Sequence, residues 1–197
     1  MSTNSIFLCT CVADEDFFLG KIQNLIVSTE AATIQAAVYR SKIGFPVLLK
    51  QGADEVQGIL VHLNATDLTT HLVDELMGYF AQDPAQGLTH KELVQVQTEA
   101  GVVETHVYFL NPEKLNSDVK YIENGDWQKA LIEKPPIPKK LNERQRNYIQ
   151  KLGKSSGRDI VPIDLALYRE LMNLELVIDK GRRIALTKLG QEVYRYL

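Results

Sequence analysis

Two carboxylates, Asp74 and Glu75, close a helical pattern in the run Asp74-Glu75-Leu76-Met77-Gly78-Tyr79. A carboxylate held at the mouth of a pocket can serve as a general base, and partial burial raises its pKa toward neutral pH. Cys9 and Cys11 sit two apart on a β-type run, so both thiols face one side of it. That spacing offers a nucleophile or half of a metal site. A metal needs further ligands, and His62, His71, His90 and His106 are scattered without ligand spacing, so no metal is expected. His106 and Tyr108 share one face of a strand pattern, with Val107 and Phe109 on the other. Each group has a plainer reading. The acids are solvated side chains at a helix end, the cysteines are small buried hydrophobes, and His106 and Tyr108 are a sheet pair.

The elements that position these groups follow from periodicity and punctuation. Residues 6–12 read as a strand buried on both faces, and residues 17–27 as a helix with Phe18, Ile22, Leu25 and Ile26 at helical spacing. Residues 33–40 alternate as a strand. Residues 44–49 read as a second strand, where Pro46 belongs at a start or an edge, and Gly52-Ala53-Asp54 reads as a turn. A central strand over 56–63 then runs into a helix that opens at Asn64, with Leu68, Leu72, Val73 and Leu76 as its apolar stripe. Residues 92–98 and 102–110 form a hairpin across Glu99-Ala100-Gly101. Asn124-Gly125-Asp126 is a turn before Trp127, the single tryptophan.

Residues 134–140, Lys134-Pro135-Pro136-Ile137-Pro138-Lys139-Lys140, read as an extended, polyproline-like linker. Beyond it, a helix over 142–152 is capped by Asn142 and stopped by Gly153, and residues 159–163 are a short extended piece. Asp164 caps a second helix, a hairpin flanks residues 179–182, and Thr187 caps the last helix. Three parts are expected: a domain over 1–133, the linker, and a basic module over 141–197.

The composition, 45% hydrophobic and 24% charged, is that of a globular chain. No apolar run approaches the roughly 20 residues of a membrane span, and the first residues lack the basic region of a signal peptide. Two cysteines too close to bridge fit a reducing, cytoplasmic compartment. The net charge of −3 conceals an asymmetry. Residues 1–133 hold 8 Lys and Arg against 18 Asp and Glu, a charge of −10, and residues 134–197 hold 14 against 7, a charge of +7. No Gly-rich phosphate loop, Ser-His-Asp order or CxxC pair is present.

The strand at 6–12, the Gly44-Phe45-Pro46 and Val56-Gln57-Gly58 strands, the turn ending Met77-Gly78-Tyr79, the hairpin to Tyr108 and Gly125-Asp126-Trp127 occur in a recognisable order. Over residues 6–130 the chain resembles the gamma-glutamylcyclotransferase-like family, including its AIG2-like members. The resemblance implies an α+β fold: a small mixed β-barrel with flanking helices, here followed by a small winged-helix-like α/β C-terminal unit. It also implies cofactor-free chemistry. The substrate's own α-amino group attacks its γ-carbonyl, one carboxylate removes the proton, and 5-oxoproline leaves. A glycine-containing loop after the first strand holds the substrate carboxylate with backbone N–H groups.

The chain departs from that pattern at both places. Met77 stands at the position of the family's basic glutamate, and Cys9-Thr10-Cys11-Val12 replaces Tyr-Gly-Ser/Thr-Leu. The hairpin's Tyr-x-Arg corresponds to Thr89-His90-Lys91. The implied pocket is formed by Cys9, Thr10, Cys11, Val12, Pro46, Gly78, His106 and Tyr108. The leading expectation is a family member without the cyclotransferase activity. It would bind a gamma-glutamyl-type small molecule or a protein partner through that pocket, with a homodimer face on the C-terminal unit. The alternatives are an active enzyme with Glu75 as relocated base, and a nucleic-acid-associated regulator using the basic unit. The nucleic-acid reading is disfavoured because the basic residues are spread over every element and one helix alone fits between Gly153 and Leu176.

Overall fold

The computed structural model describes residues 5–9, 17–64, 66–156 and 159–197, with the backbone alone at 17–19 and 67. By contacts the chain falls into two compact units, one running through Ser41 with Phe45–Glu133, the other Lys42–Gly44 with Lys134–Leu197.

The first unit is built on a long antiparallel hairpin. β2 (Ile26–Arg40) and β3 (Pro46–Leu63) pair from Ile26↔Leu63 to Arg40↔Pro46. β1 (Ser5–Leu8) lies antiparallel on β3, from Ser5↔His62 to Leu8↔Ile59, and its Ile6 meets His106 in parallel. β4 (Thr89–Thr98) and β5 (Gly101–Leu110) form the second hairpin, and β4 returns to β2 at Ala32↔Thr98 and Thr33↔Gln97. The ring β1–β3–β2–β4–β5–β1 is therefore a near-barrel of five strands. β6 (Lys120–Ile122) joins the edge of β2, giving a mixed six-stranded sheet. Period-two alternation turns Ile34, Ala36, Val38, Val96, Val107 and Phe109 inward with Phe7, Leu60 and Trp127. A second apolar layer outside the ring joins Ile6, Leu8, Ile59, Val61 and Tyr108 to Val73 of α2 (Asp67–Met77) and Ile22 of α1 (Phe17–Ile22).

Several expectations change on this scaffold. The Gly52-Ala53-Asp54 turn does not separate two strands. β3 runs through, and its pairing jumps from Ala36↔Asp54 to Ala37↔Leu49, so residues 50–53 are looped out of the ladder. Gly52 is needed there because a Cβ would come within 2.1 Å of the Ala37 nitrogen. The helix expected from Asn64 starts later, capped by Thr66, whose hydroxyl accepts from the Thr69 N–H at 3.1 Å. Its buried face is also different: Leu68 is 82% exposed, and Thr69, Val73 and Asp74 face inward. The Trp127 turn is as expected. Gly125 has φ 66, and Trp127 opens α3 (Trp127–Glu133) from the barrel core.

In the second unit, α4 (Ile137–Lys140) occupies the segment read as an extended spacer. Pro138 sits in the first turn, where its missing N–H is not required, and the Ile137 N–H donates to the Ile43 carbonyl at 2.8 Å. α5 (Glu143–Lys154) carries the expected Asn142 cap, completed into a capping box by Gln145. Gly153 does not stop that helix. It makes room for the Tyr194 ring, 2.5 Å from where a Cβ would stand. α6 (Leu165–Asn173) is capped by Asp164, residues 159–163 form no strand, and β7 (Val177–Asp179) pairs with β8 (Ile184–Leu186) before α7 (Lys188–Arg195), capped by Thr187.

Candidate functional site

The C-terminal end of α2 is closed by Gly78 in the left-handed conformation, φ 70, with the Tyr79 N–H reaching back to the Asp74 carbonyl at 2.8 Å. This closure frees the chain to turn directly into a loop. Two bonds stitch that end to the start of β4. The Leu88 N–H donates to the Gly78 carbonyl and the Thr89 hydroxyl to the Met77 carbonyl, both at 2.8 Å. Met77 packs its thioether against the outer apolar layer, where Leu8 and Tyr108 also lie. Of the residues expected in a pocket, the structure thus brings Gly78 and Tyr108 together with Met77, at the expected base position, and with Leu8, the neighbour of Cys9. Cys9 itself is buried in the barrel core as a small hydrophobe. Thr10, Cys11 and Val12 lie outside the described residues. Pro46 opens β3, and Leu48 beside it pairs with Phe109, bringing that end of β3 to the strand that carries His106 and Tyr108.

The two acids part company. Glu75 is exposed, as a solvated helix-end acid should be. Asp74 is buried, which corrects the solvated reading. Its Oδ1 accepts from Lys91 Nζ at 2.9 Å and from the Tyr108 hydroxyl at 2.5 Å. Lys91 also lies over the Tyr79 and Tyr108 rings, 5.8 and 5.4 Å from their centroids, and the two rings meet edge to face. Burial first, then the hydrogen bond to Asp74, pushes the Tyr108 phenol far above its ordinary pKa, so it stays protonated and donates to Asp74. One signal in the sequence pointed here. Asp74 follows Val73 on the inward side of α2, where an unpaired carboxylate is not tolerated, and Lys91 is the nearest cation on the following hairpin.

His106, on the same outward face of β5 as Tyr108, has its pKa lowered, chiefly by burial, then by Lys91, with Asp74 opposing. Its folded pKa lies below the unfolded value of about 6.5. As pH falls, the unfolded chain therefore binds a proton first. The contribution of His106 is complete above that value and is lost as pH falls through it toward the folded pKa. Urea midpoints at pH 8 and pH 5.5 should show a smaller loss in His106→Gln than in wild type. Equal losses would show that His106 is not the group responsible.

A second polar group, missed in the sequence, lies on the inward face of β4. The Asn111 amide donates to the carbonyls of Pro84 at 2.9 Å and Gly87 at 2.8 Å, which turns its oxygen toward His90 Nδ1 at 2.9 Å. His90 Nε2 lies 3.1 Å from Glu92, and Glu92 is bound by Lys50. The Lys50 hydrogen bond holds the Glu92 carboxyl below its usual pKa. The residues involved sit on two strands, β3 and β4, on the loop at 84–87 and just past the end of β5, so nothing in local spacing announced them. Among the described residues no three His, Cys, Asp or Glu side chains cluster as metal ligands, and no helix is long and apolar enough to cross a membrane.

A family model described as gamma-glutamyl cyclotransferase, AIG2-like, matches residues 14–129. No curated protein matches the chain in sequence. Among solved structures, YkqA from Bacillus subtilis is similar at 18% identity and TM-score 0.44, over 66% of this chain and 41% of that one. The chain thus spans about two-fifths of the length of YkqA. At5g39720.1 from Arabidopsis thaliana is similar at 17% identity and TM-score 0.47, covering 68% and 85%. PH0828 from Pyrococcus horikoshii is similar at 14% identity and TM-score 0.42, covering 66% and 93%.

Proposed function

We propose, for a chain that belongs to the gamma-glutamyl cyclotransferase, AIG2-like family, that it keeps the family scaffold without the base of the cyclotransferase reaction. In this reading it is a binding protein for a gamma-glutamyl-type small molecule or a protein partner. The observation that carries it is Met77 directly before the left-handed Gly78. A thioether takes no proton at neutral pH. The neighbouring carboxylates do not replace it, since Asp74 is engaged by Lys91 and Tyr108 and Glu75 is exposed. The reading places the protein in a reducing, cytoplasmic compartment and makes the basic, winged-helix-like second unit an interaction module.

The test is 5-oxoproline release from a panel of gamma-glutamyl amines and dipeptides by wild type, Met77→Glu and Glu75→Gln. Wild type should be silent and Met77→Glu should release product, because a glutamate set against that apolar layer gains a raised pKa suited to a base. Release by wild type that Glu75→Gln abolishes would overturn the proposal in favour of a relocated base. Silence in all three would show that the pocket no longer accepts such substrates.

A further inference from the structure

The near-barrel has a gap. β2 and β4 share two rungs, Ala32↔Thr98 and Thr33↔Gln97, and then part, β2 going on to take β6 at Val38↔Ile122. Among the described residues no strand pairs with residues 34–37 of β2 on that edge. A cleft of about 570 Å³ opens where the strands separate. Its floor is Ile34, Val96 and Phe109, side chains of the barrel core, with Val94 half-buried beside them. One wall is the looped-out segment of β3, held close to β2 by Gly52.

The rim is charged in a specific way. Lys50 lines the cleft and its ammonium is bound by Glu92, two residues from Val94 on the same face of β4. The Lys50 and Glu92 side chains are 52% and 32% exposed. A pair that open to water contributes little to stability, so other ions can exchange with it at small cost. A ligand carrying one charge would either leave Lys50 without its carboxylate or leave Glu92 with His90 alone. A zwitterion whose two charges are one carbon apart satisfies both, and an apolar group on that carbon faces the floor.

The geometry points to this cleft as a binding site for a free α-amino acid with an apolar side chain. Its carboxylate takes the Lys50 ammonium, its ammonium takes the Glu92 carboxylate, and its side chain packs on Val94, Val96, Ile34 and Phe109. The site uses the faces of β4 and β5 opposite to Lys91 and Tyr108. It is therefore independent of the fate of Met77.

The experiment is an NMR titration of the full, isotope-labelled chain with L-phenylalanine, 3-phenylpropionate and phenethylamine. L-Phenylalanine should give saturable shifts at Ile34, Val94, Val96 and Phe109. The two singly charged analogues should bind about tenfold more weakly or worse, as should L-phenylalanine to Lys50→Met and to Glu92→Gln. Urea midpoints of both variants establish that each is folded. The inference is overturned by the absence of shifts up to the solubility limit, by equal binding of 3-phenylpropionate, by binding indifferent to Lys50→Met, or by shifts confined to Leu8, Met77 and Tyr108.

Discussion

Gly58→Ala should remove β1 from the sheet and cost the first unit most of its stability. A Cβ at position 58 would stand 2.3 Å from the Leu8 carbonyl oxygen and 2.6 Å from the Phe7 ring. The oxygen belongs to backbone held by the pairs Phe7↔Leu60 and Leu8↔Ile59, so it cannot step aside without breaking that ladder. Overpacking a tight core commonly costs about 1–3 kcal/mol. Releasing β1 would cost more, because Ile6, Phe7 and Leu8 are all buried and each such side chain contributes roughly 1.5–3 kcal/mol. Their sum rivals the whole stability of an ordinary domain, about 5–15 kcal/mol. Urea unfolding and amide exchange at Ser5–Leu8 measure the effect. An unchanged midpoint with β1 amides still protected would contradict the close approach of β1 to β3.

Lys91→Met should be the most damaging change at the α2 site. It leaves the Asp74 carboxylate, whose side chain is 12% exposed, held by the Tyr108 hydroxyl without the cation. Breaking a buried pair from one side costs about 3–5 kcal/mol, and the residual exposure lowers the expectation to about 2–4. Tyr108→Phe removes a hydrogen bond to a charged acceptor and should cost about 1.5–3 kcal/mol. The double variant Asp74→Leu with Lys91→Met should recover much of the loss, since an apolar pair of similar volume carries no desolvation cost. Urea midpoints of the two single variants and the double variant complete the cycle. Additive losses, with no coupling beyond about 0.5 kcal/mol, would show that the contact contributes nothing as a pair.

These two effects depend on different kinds of information. The order of strands, the β4–β5 hairpin, the split of Val107 and Phe109 from His106 and Tyr108, and the caps Asn142, Asp164 and Thr187 are all legible in the chain. Each rests on neighbours within a few residues, where side-chain period and backbone hydrogen bonding act alone. The resemblance carried by Gly58, Met77-Gly78 and Trp127 is legible for the same reason: local turns and close approaches restrict residue type. The looped-out segment at 50–53 illustrates the limit. Its glycine signalled a turn correctly, but whether that turn ends a strand or bulges out of one depends on Ala36 and Ala37, some fifteen residues away.

The charges show the same division. By itself the sequence determined that Met77 precedes the glycine at the end of α2 and that the chain divides into an acidic and a basic part. Only the tertiary structure decided that Asp74 is buried against Lys91 and Tyr108 while its neighbour Glu75 is exposed, and that Lys50 of β3 meets Glu92 of β4. Adjacent residues on a helix point about 100° apart, so one can face the protein and the next water. Which of them does so is settled by the strand packed against the helix, and that strand is distant in sequence.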